Sequence, residues 1–130
     1  YLCQNSEGQI NNTESISAGL DYPGVSPIHC FLFFFKRARY TYATDEEALN
    51  AHVMVTKYEN LNPSLEPSHA FAEAIKIAPK LRSSDTIIVN SCGDSIKDKD
   101  IIKKKLGSYI RWNRRFQQHS KDAKKKEDLL

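Results

Sequence analysis

Apolar residues recur at helical spacing in two well-marked stretches of the chain. The first follows Thr44, which has Glu47 three residues later, the spacing of a capping box at a helix N-terminus. The pattern predicts a helix from there to about Tyr58. Its core-facing positions are expected to be Ala48, Leu49, His52 and either Val53 or Val55.

A second helix is predicted to begin near Pro67, because proline is tolerated in the first helical turn, and to end at Pro79. Its apolar face is expected to consist of Ala70, Phe71, Ala74, Ile75 and Ala78. A last helix is predicted over residues 97–118. The residues that would share one face of this helix are Ile102, Leu106, Tyr109 and Asn113.

Short β-branched or aromatic runs predict strands between these helices. Residues 86–89 lie between Asp85 and Asn90 and have the composition of a buried parallel strand, and residues 40–42 form a shorter run. Periodicity leaves residues 30–35 open as either a buried strand or the start of a buried helix. The alternation predicts an α/β fold with flanking helices. Two short strands give only an incomplete parallel sheet.

The composition describes an ordinary globular piece of 130 residues, with 40% hydrophobic and 27% charged residues. No charged segment leads into an apolar one near Tyr1, so we expect no signal peptide, and no apolar run is long enough to span a bilayer. Cys3, Cys30 and Cys92 are widely spaced, which argues against a disulfide framework or a zinc site. These features predict a protein of the cytoplasm.

Basic residues are concentrated between Lys97 and Lys126, although the net charge is only +3. Such a segment can bind nucleic acid or an anionic surface, but more often it is a solvated helix face or a frayed terminus. No nucleic-acid-binding motif accompanies it. We therefore expect neither a nucleic acid nor a membrane as partner, and a basic tail, helical or disordered, over residues 107–130.

The residues with the clearest chemistry lie in loops. The run SISAGLDYPGVSP at residues 15–27 contains one carboxylate, Asp21, among glycines and prolines that disfavour regular structure. Asp21 is either a binding or catalytic acid presented by a loop, or a structural residue that caps a turn. Residues 90–95 would follow the predicted strand at its carboxyl end, where open α/β sheets bind ligands.

The run SISAGLDYPGVSP closely resembles a loop of the tryptophan synthase beta family, pyridoxal-phosphate (PLP) enzymes of fold type II. The resemblance continues in register through residues 39–49, 62–70 and 86–90, and covers most of residues 7–102. It implies that residues 1–106 are the C-terminal part of such a domain.

The resemblance implies a function for the complete subunit. This family of lyases replaces the hydroxyl of L-serine with indole to give L-tryptophan, with PLP as cofactor and with an alpha subunit or domain and a second beta subunit as partners. The family's Schiff-base lysine and Gly-rich phosphate loop lie upstream of the matched region. We therefore expect residues 1–130 to be inactive alone. The alternative is a degenerate remnant that acts as a non-catalytic binding or structural module.

The resemblance also implies roles for individual residues. Asp21 matches an aspartate that engages the hydroxyl of serine. Glu66 matches a glutamate beside the cofactor ring that assists the chemistry at the β-carbon, whereas its position alone suggests only compensation of a helix dipole. Cys92, followed by Gly93, matches a serine whose hydroxyl hydrogen-bonds the pyridine nitrogen, and a thiol is a weaker donor. Two further residues, Ser68 and His69, would give local support.

Two further features follow from the resemblance. The backbone carbonyls of Leu20, Tyr22 and Gly24 match positions that contribute to a monovalent-cation site for Na⁺ or K⁺. The family's arginine that pairs with the loop aspartate falls on Asp94 in an alignment without gaps. A two-residue insertion would allow Lys97 to replace that arginine, without its bidentate fork.

Overall fold

A computed structural model describes residues 1–107. Residues 1–98 form one compact unit with three helices, and residues 99–107 are helical and belong to a separate unit that begins at Lys99. The predicted last helix therefore begins at residue 99. Its continuation over 108–118, with Tyr109 and Asn113, and nearly all of the tail over 107–130 lie outside the described residues. The three helices of the first unit are α1 (Pro27–Phe34), α2 (Asp45–Glu59) and α3 (Leu65–Ile77).

Helix α2 confirms the prediction from its capping box. The Glu47 backbone amide donates to Thr44 Oγ1 at 3.3 Å, and the Thr44 amide donates to Glu47 Oε2 at 2.8 Å. The helix ends at Glu59, before Asn60 in the left-handed conformation with φ of 54°. Val55 rather than Val53 faces the core. The buried positions are Ala48, Leu49, Ala51, His52 and Val55.

Helix α3 begins at Leu65, two residues earlier than predicted, and ends at Ile77 just before the turn that contains Pro79. The Leu65 amide donates to the Asp98 carboxylate at 2.8 Å, and this contact explains the earlier start. The predicted apolar face is wrong, because Ala70, Ile75 and Ala78 are exposed and Phe71 and Ala74 are only half-buried. Helices α2 and α3 pack against each other, and the side of α3 that is buried contains Leu65, Pro67, Ser68 and Ala72.

The strands predicted at residues 40–42 and 86–89 are not formed. Both segments lack regular secondary structure, and Ile88 is 92% exposed. A strand requires a neighbour to pair its amides and carbonyls, and within residues 1–107 pairing is limited to three isolated bridges. The predicted parallel sheet is therefore not confirmed. Residues 30–34 lie in α1, so they are helical, and Phe31, Phe33 and Phe34 are exposed rather than buried.

The loop at residues 15–27 positions the site. It contains a 3₁₀ turn at Ala18–Leu20 that lies against α3. Further along, the Val25 amide donates to the Tyr1 carbonyl at 3.3 Å, beside an antiparallel bridge between Leu2 and Gly24. The loop is therefore fixed at both halves, and its first half faces the start of α3.

Candidate active site

Glu66 lies at the centre of the site, in the first turn of α3. Its Oε1 accepts a hydrogen bond from the Gly19 amide at 3.0 Å, and the Lys97 ammonium donates to both carboxylate oxygens at 2.8 Å. The approach of Gly19 is close, since a Cβ there would lie 2.8 Å from Glu66 Oε1 and 2.9 Å from its Cγ and would force the Glu66 side chain to shift. Glu66 therefore joins the loop to α3.

Asp98 extends this network. Its Oδ1 accepts from Lys97 Nζ at 3.1 Å, and its Oδ2 accepts from the Leu65 amide at 2.8 Å. Asp98 is buried, so its charge requires partners, and these two contacts supply them. The contacts tie together the loop at residues 15–27, the start of α3 and the 3₁₀ turn at Ser95–Asp98.

The charge of Glu66 follows from these contacts. Burial raises the pKa of its carboxyl group, but hydrogen bonds from Lys97, from its own amide, from Gly19 and from Ser64 outweigh burial and lower the pKa to about 2. The same ion pair raises the pKa of Lys97. At neutral pH Glu66 is ionised, so it can accept a proton or stabilise a positive charge but cannot donate a proton.

The lowered pKa of Glu66 predicts a loss of stability in acid. An unfolded glutamate has a pKa near 4.5 and folded Glu66 about 2. The folded state therefore gains stability that is complete above pH 4.5 and is lost as the pH falls towards 2. Solvent screening limits this contribution to about 1 kcal/mol. Urea unfolding at several pH values should show a difference between the wild-type chain and Glu66→Gln that shrinks through this window.

Two other carboxyl groups with lowered pKa values, those of Glu47 and Asp85, do not affect the comparison of the wild-type chain with Glu66→Gln. Hydrogen bonds from the Thr44 amide and Lys76 lower the pKa of Glu47, and hydrogen bonds from Arg82 lower the pKa of Asp85. Both groups are present in the two proteins and contribute equally to each. A difference that is independent of pH between 2 and 4.5 would contradict the assignment to Glu66.

Gly19→Ala should lower the free energy of unfolding by about 1–2 kcal/mol, because the added methyl group overfills a packed contact and forces Glu66 from the Gly19 amide. The measurement is urea unfolding monitored by circular dichroism. Ala18→Ser, at an exposed neighbouring position, is the control and should change stability by less than about 0.5 kcal/mol. Equal effects of the two substitutions would show that the contact is not tight.

A groove of about 600 Å³ opens beside Glu66 and Leu20. Much of its wall is apolar and comes from the outward side of α3 and from the segment predicted as a strand. The charged and titratable side chains that line it are Glu66, Glu73, His69 and Tyr42. Its apolar lining is Leu20, Ala43, Ala70, Ala74, Ile77, Ile87, Ile88 and Val89.

The groove does not fit PLP by itself. A phosphate ester requires backbone amides or cationic side chains, and an imine requires a lysine amine. Neither lysine nor arginine is among the lining residues in the described part of the chain. The acidic groups that are present would repel a phosphate. The groove therefore supplies one wall of a site at most.

Asp21 lies outside the groove lining and is exposed. Its carboxylate has no hydrogen-bond or ion-pair partner among residues 1–107. The predicted replacement of the family's arginine by Lys97 is wrong, because Lys97 binds Glu66 and Asp98 instead. Asp94 makes a local contact, in which its Oδ1 accepts from the Ile96 amide at 2.8 Å.

Cys92 and Gly93 are also outside the groove lining, which the loop reaches only through Asn90. Cys92 is exposed. The Gly93 carbonyl accepts from the Ser64 amide at 3.0 Å, and a Cβ at Gly93 would lie 2.9 Å from Ser64 Oγ. Gly93 thus docks its loop onto the start of α3 rather than onto the groove.

The remaining predicted residues have local roles. Ser68 donates to the Ser64 carbonyl at 2.7 Å, and His69 Nδ1 contacts the Leu65 carbonyl at 2.7 Å, so both support the first turns of α3. Of the three cation-site positions, Leu20 lines the groove. The other two, Tyr22 and Gly24, lie further along the loop. The proposed cation ligands therefore stay a prediction.

The sequence patterns missed the residues that hold Glu66 in place. The sequence marks Gly19 only as one of the glycines of the loop, although its amide contacts Glu66. Asp98 carried no signal beyond its position next to Lys97. Both contacts span more than 30 residues along the chain, and no local periodicity reports such a pairing.

Comparisons with known proteins bear on the family of the chain. No protein-family model matches the chain. It is 48% identical over 107 residues to the tryptophan synthase beta chain of Allorhizobium ampelinum, which covers 82% of this chain and 26% of that protein. It is 51% identical over 98 residues to the tryptophan synthase beta chain of Fusobacterium nucleatum, which covers 75% of this chain and 25% of that protein.

The chain thus spans about a quarter of the length of the curated relatives that it matches. The chain belongs to the tryptophan synthase beta chain family, as a piece of the C-terminal part of that larger subunit.

Proposed function

We propose that this chain is the C-terminal portion of a tryptophan synthase beta-like enzyme. The complete subunit would convert L-serine and indole to L-tryptophan and water with PLP as cofactor. The observation that carries the proposal is Glu66, an ionised carboxylate fixed by Gly19 and Lys97 at the edge of a large apolar groove. A flat aromatic substrate such as indole suits an apolar wall.

Glu66 would contribute as an electrostatic group at the β-carbon of the substrate. Its low pKa rules out proton donation at neutral pH but favours stabilisation of a positive charge. The hydrogen bond from the Gly19 amide and the ion pair with Lys97 fix its direction before substrate binds. Such preorganisation lowers the cost of reaching the reactive arrangement.

The other site residues are proposed from the motif match. Asp21 would contact the serine hydroxyl, and Cys92 with Gly93 would contact the cofactor ring. The carbonyls of Leu20, Tyr22 and Gly24 would take part in binding Na⁺ or K⁺. The exposure of Asp21 and Cys92 is consistent with contacts to groups that residues 1–107 do not provide.

We also propose the setting of the complete enzyme. An alpha subunit and a second beta subunit are the expected partners, in the cytoplasm, without nucleic acid or membrane. None of the helices in residues 1–107 is long and apolar enough to cross a membrane. In the complete domain, the segment at 86–89 would join the parallel sheet that the α/β pattern predicts.

A degenerate, non-catalytic remnant is the second candidate, and one observation favours it. Asp21 has no cationic partner within the described residues, and in an alignment without gaps Asp94 stands where the family's arginine would be. In this candidate, closure of the site by that pair would be lost. Reading the transcript upstream of Tyr1 separates the candidates, since an open frame with the lysine and phosphate loop supports the enzyme.

A chimera tests the proposal directly. Residues 7–102 replace the matching segment of the Fusobacterium nucleatum beta chain, and tryptophan formation from serine and indole is measured with PLP. Activity within about tenfold of the parent supports the enzyme. A folded chimera that binds PLP but forms no tryptophan supports the remnant. The isolated 130-residue chain should form none, and turnover by it would overturn the predicted inactivity.

A further inference from the structure

Lys97 makes a more specific set of contacts than a surface lysine usually does. Its ammonium lies 2.8 Å from both oxygens of Glu66 and 3.1 Å from Asp98 Oδ1. Asp98 is itself held, because its other oxygen accepts the Leu65 amide. Three fixed acceptors thus converge on one cation, whose side chain is about half exposed.

The contacts also fix the direction in which the Glu66 carboxylate points. Lys97 approaches from the turn at Ser95–Asp98, and Gly19 approaches from the loop at residues 15–27. Without Lys97, the Gly19 amide would be the one contact from another segment holding the carboxylate. The other contacts of the carboxylate, with its own amide and with Ser64, lie within the first turn of α3, so without Lys97 it would be held to the rest of the chain by one hydrogen bond.

We propose that Lys97 is a positioning residue for Glu66, which holds the carboxylate toward the groove and keeps it in reach of the Gly19 amide. As a role in catalysis this inference rests on the proposed function. As a contact within the chain it does not, and it is tested separately below. It reassigns Lys97 from a partner of Asp21 to a partner of Glu66.

Other charged groups near the groove do not compete for Lys97. Glu73 is paired with Arg39 at 3.6 Å and with Lys76 at 3.2 Å. His69 Nε2 lies 3.8 Å from Asp45. The acidic neighbours of Lys97 in residues 1–98 are therefore Glu66 and Asp98, and both contact it.

The contact is tested in the 130-residue chain by amide hydrogen exchange. Lys97→Met should accelerate exchange of the Gly19 amide by about tenfold or more, whereas the Ala48 amide at the start of α2 should be unaffected. Lys97→Arg should keep the slow rate. The matched control is Lys80→Met, at an exposed lysine in the turn after α3, which should change neither amide. An unchanged Gly19 rate in folded Lys97→Met would overturn the proposal.

If Lys97→Met unfolds the chain, all amides exchange faster and hydrogen exchange does not test the contact. A second measurement, on the wild-type chain, then decides. Acetylation of lysines in the wild-type chain is followed by mass spectrometry. Lys97 should react several-fold more slowly than Lys80, because a lysine in an ion pair is protonated and shielded. Glu66→Gln should accelerate Lys97 alone. Equal rates at the two lysines would overturn the proposal.

The proposed role of Lys97 in catalysis is tested in the chimera described above. Lys97→Met should lower kcat by about tenfold and leave KM for serine within about twofold, and Lys97→Arg should restore most of kcat. Lys80→Met should have no effect. A loss confined to KM would overturn the positioning role. An inactive parent chimera would refute the proposed function, while the exchange and acetylation results would still decide the contact.

Discussion

Leu65→Ala should lower the free energy of unfolding by about 3 kcal/mol, within the 2–5 kcal/mol usual for buried leucines. Leu65 is fully buried at the first position of α3. The substitution removes packed methyl groups and leaves a cavity at the point where α2 and α3 meet the turn that contains Asp98. Urea unfolding monitored by far-ultraviolet circular dichroism measures the loss, because the only tryptophan, Trp112, lies outside the described residues.

Leu81→Ala is the matched control for this experiment. Leu81 is 43% exposed after α3, so its truncation should cost less than about 0.5 kcal/mol. Equal losses for the two variants would show that Leu65 is not part of a packed core.

Glu66→Gln should lower kcat of the chimera by about 10²-fold or more. The amide keeps the shape of the side chain but has no charge, so it can neither accept a proton nor stabilise a positive charge. It also leaves Lys97 without one of its two carboxylates. Steady-state formation of tryptophan from serine and indole, with PLP binding checked by absorbance, measures the effect.

The control for Glu66→Gln is Glu73→Gln. Glu73 lines the same groove, but its carboxylate is paired with Arg39 and Lys76. Its substitution should change kcat by less than about threefold, because it removes a partly exposed ion pair rather than a reacting group. Equal losses at the two positions would mean that groove charge in general, and not Glu66, supports the reaction.

The helices were predictable because their signals are local. The capping box at Thr44 and Glu47 depends on residues three apart, and the structure forms it. The start of α3 was missed by two residues because the group that caps it, Asp98, lies 33 residues away. The apolar face of α3 was predicted on the wrong side, because periodicity identifies apolar residues without showing which of them meets α2.

The absence of the strands and the contacts within the site could not be predicted from the sequence, for a different reason. A strand at 86–89 needs a neighbouring strand, and none is present in residues 1–107. The site residues were identified one at a time, by motif, and the structure brings together Glu66, Gly19 and Lys97 but leaves Asp21 and Cys92 exposed. Motifs name residues, whereas pairings such as Lys97 with Glu66 depend on the fold.

The close approach of Gly19 to Glu66 constrains the order in which substitutions can accumulate in evolution. A side chain at position 19 would lie within 3 Å of Glu66, so it costs less stability once residue 66 has been shortened. The reverse order passes through a strained and less stable intermediate. Related chains with a larger residue at position 19 are therefore expected to lack Glu66 more often than chains that keep the glycine.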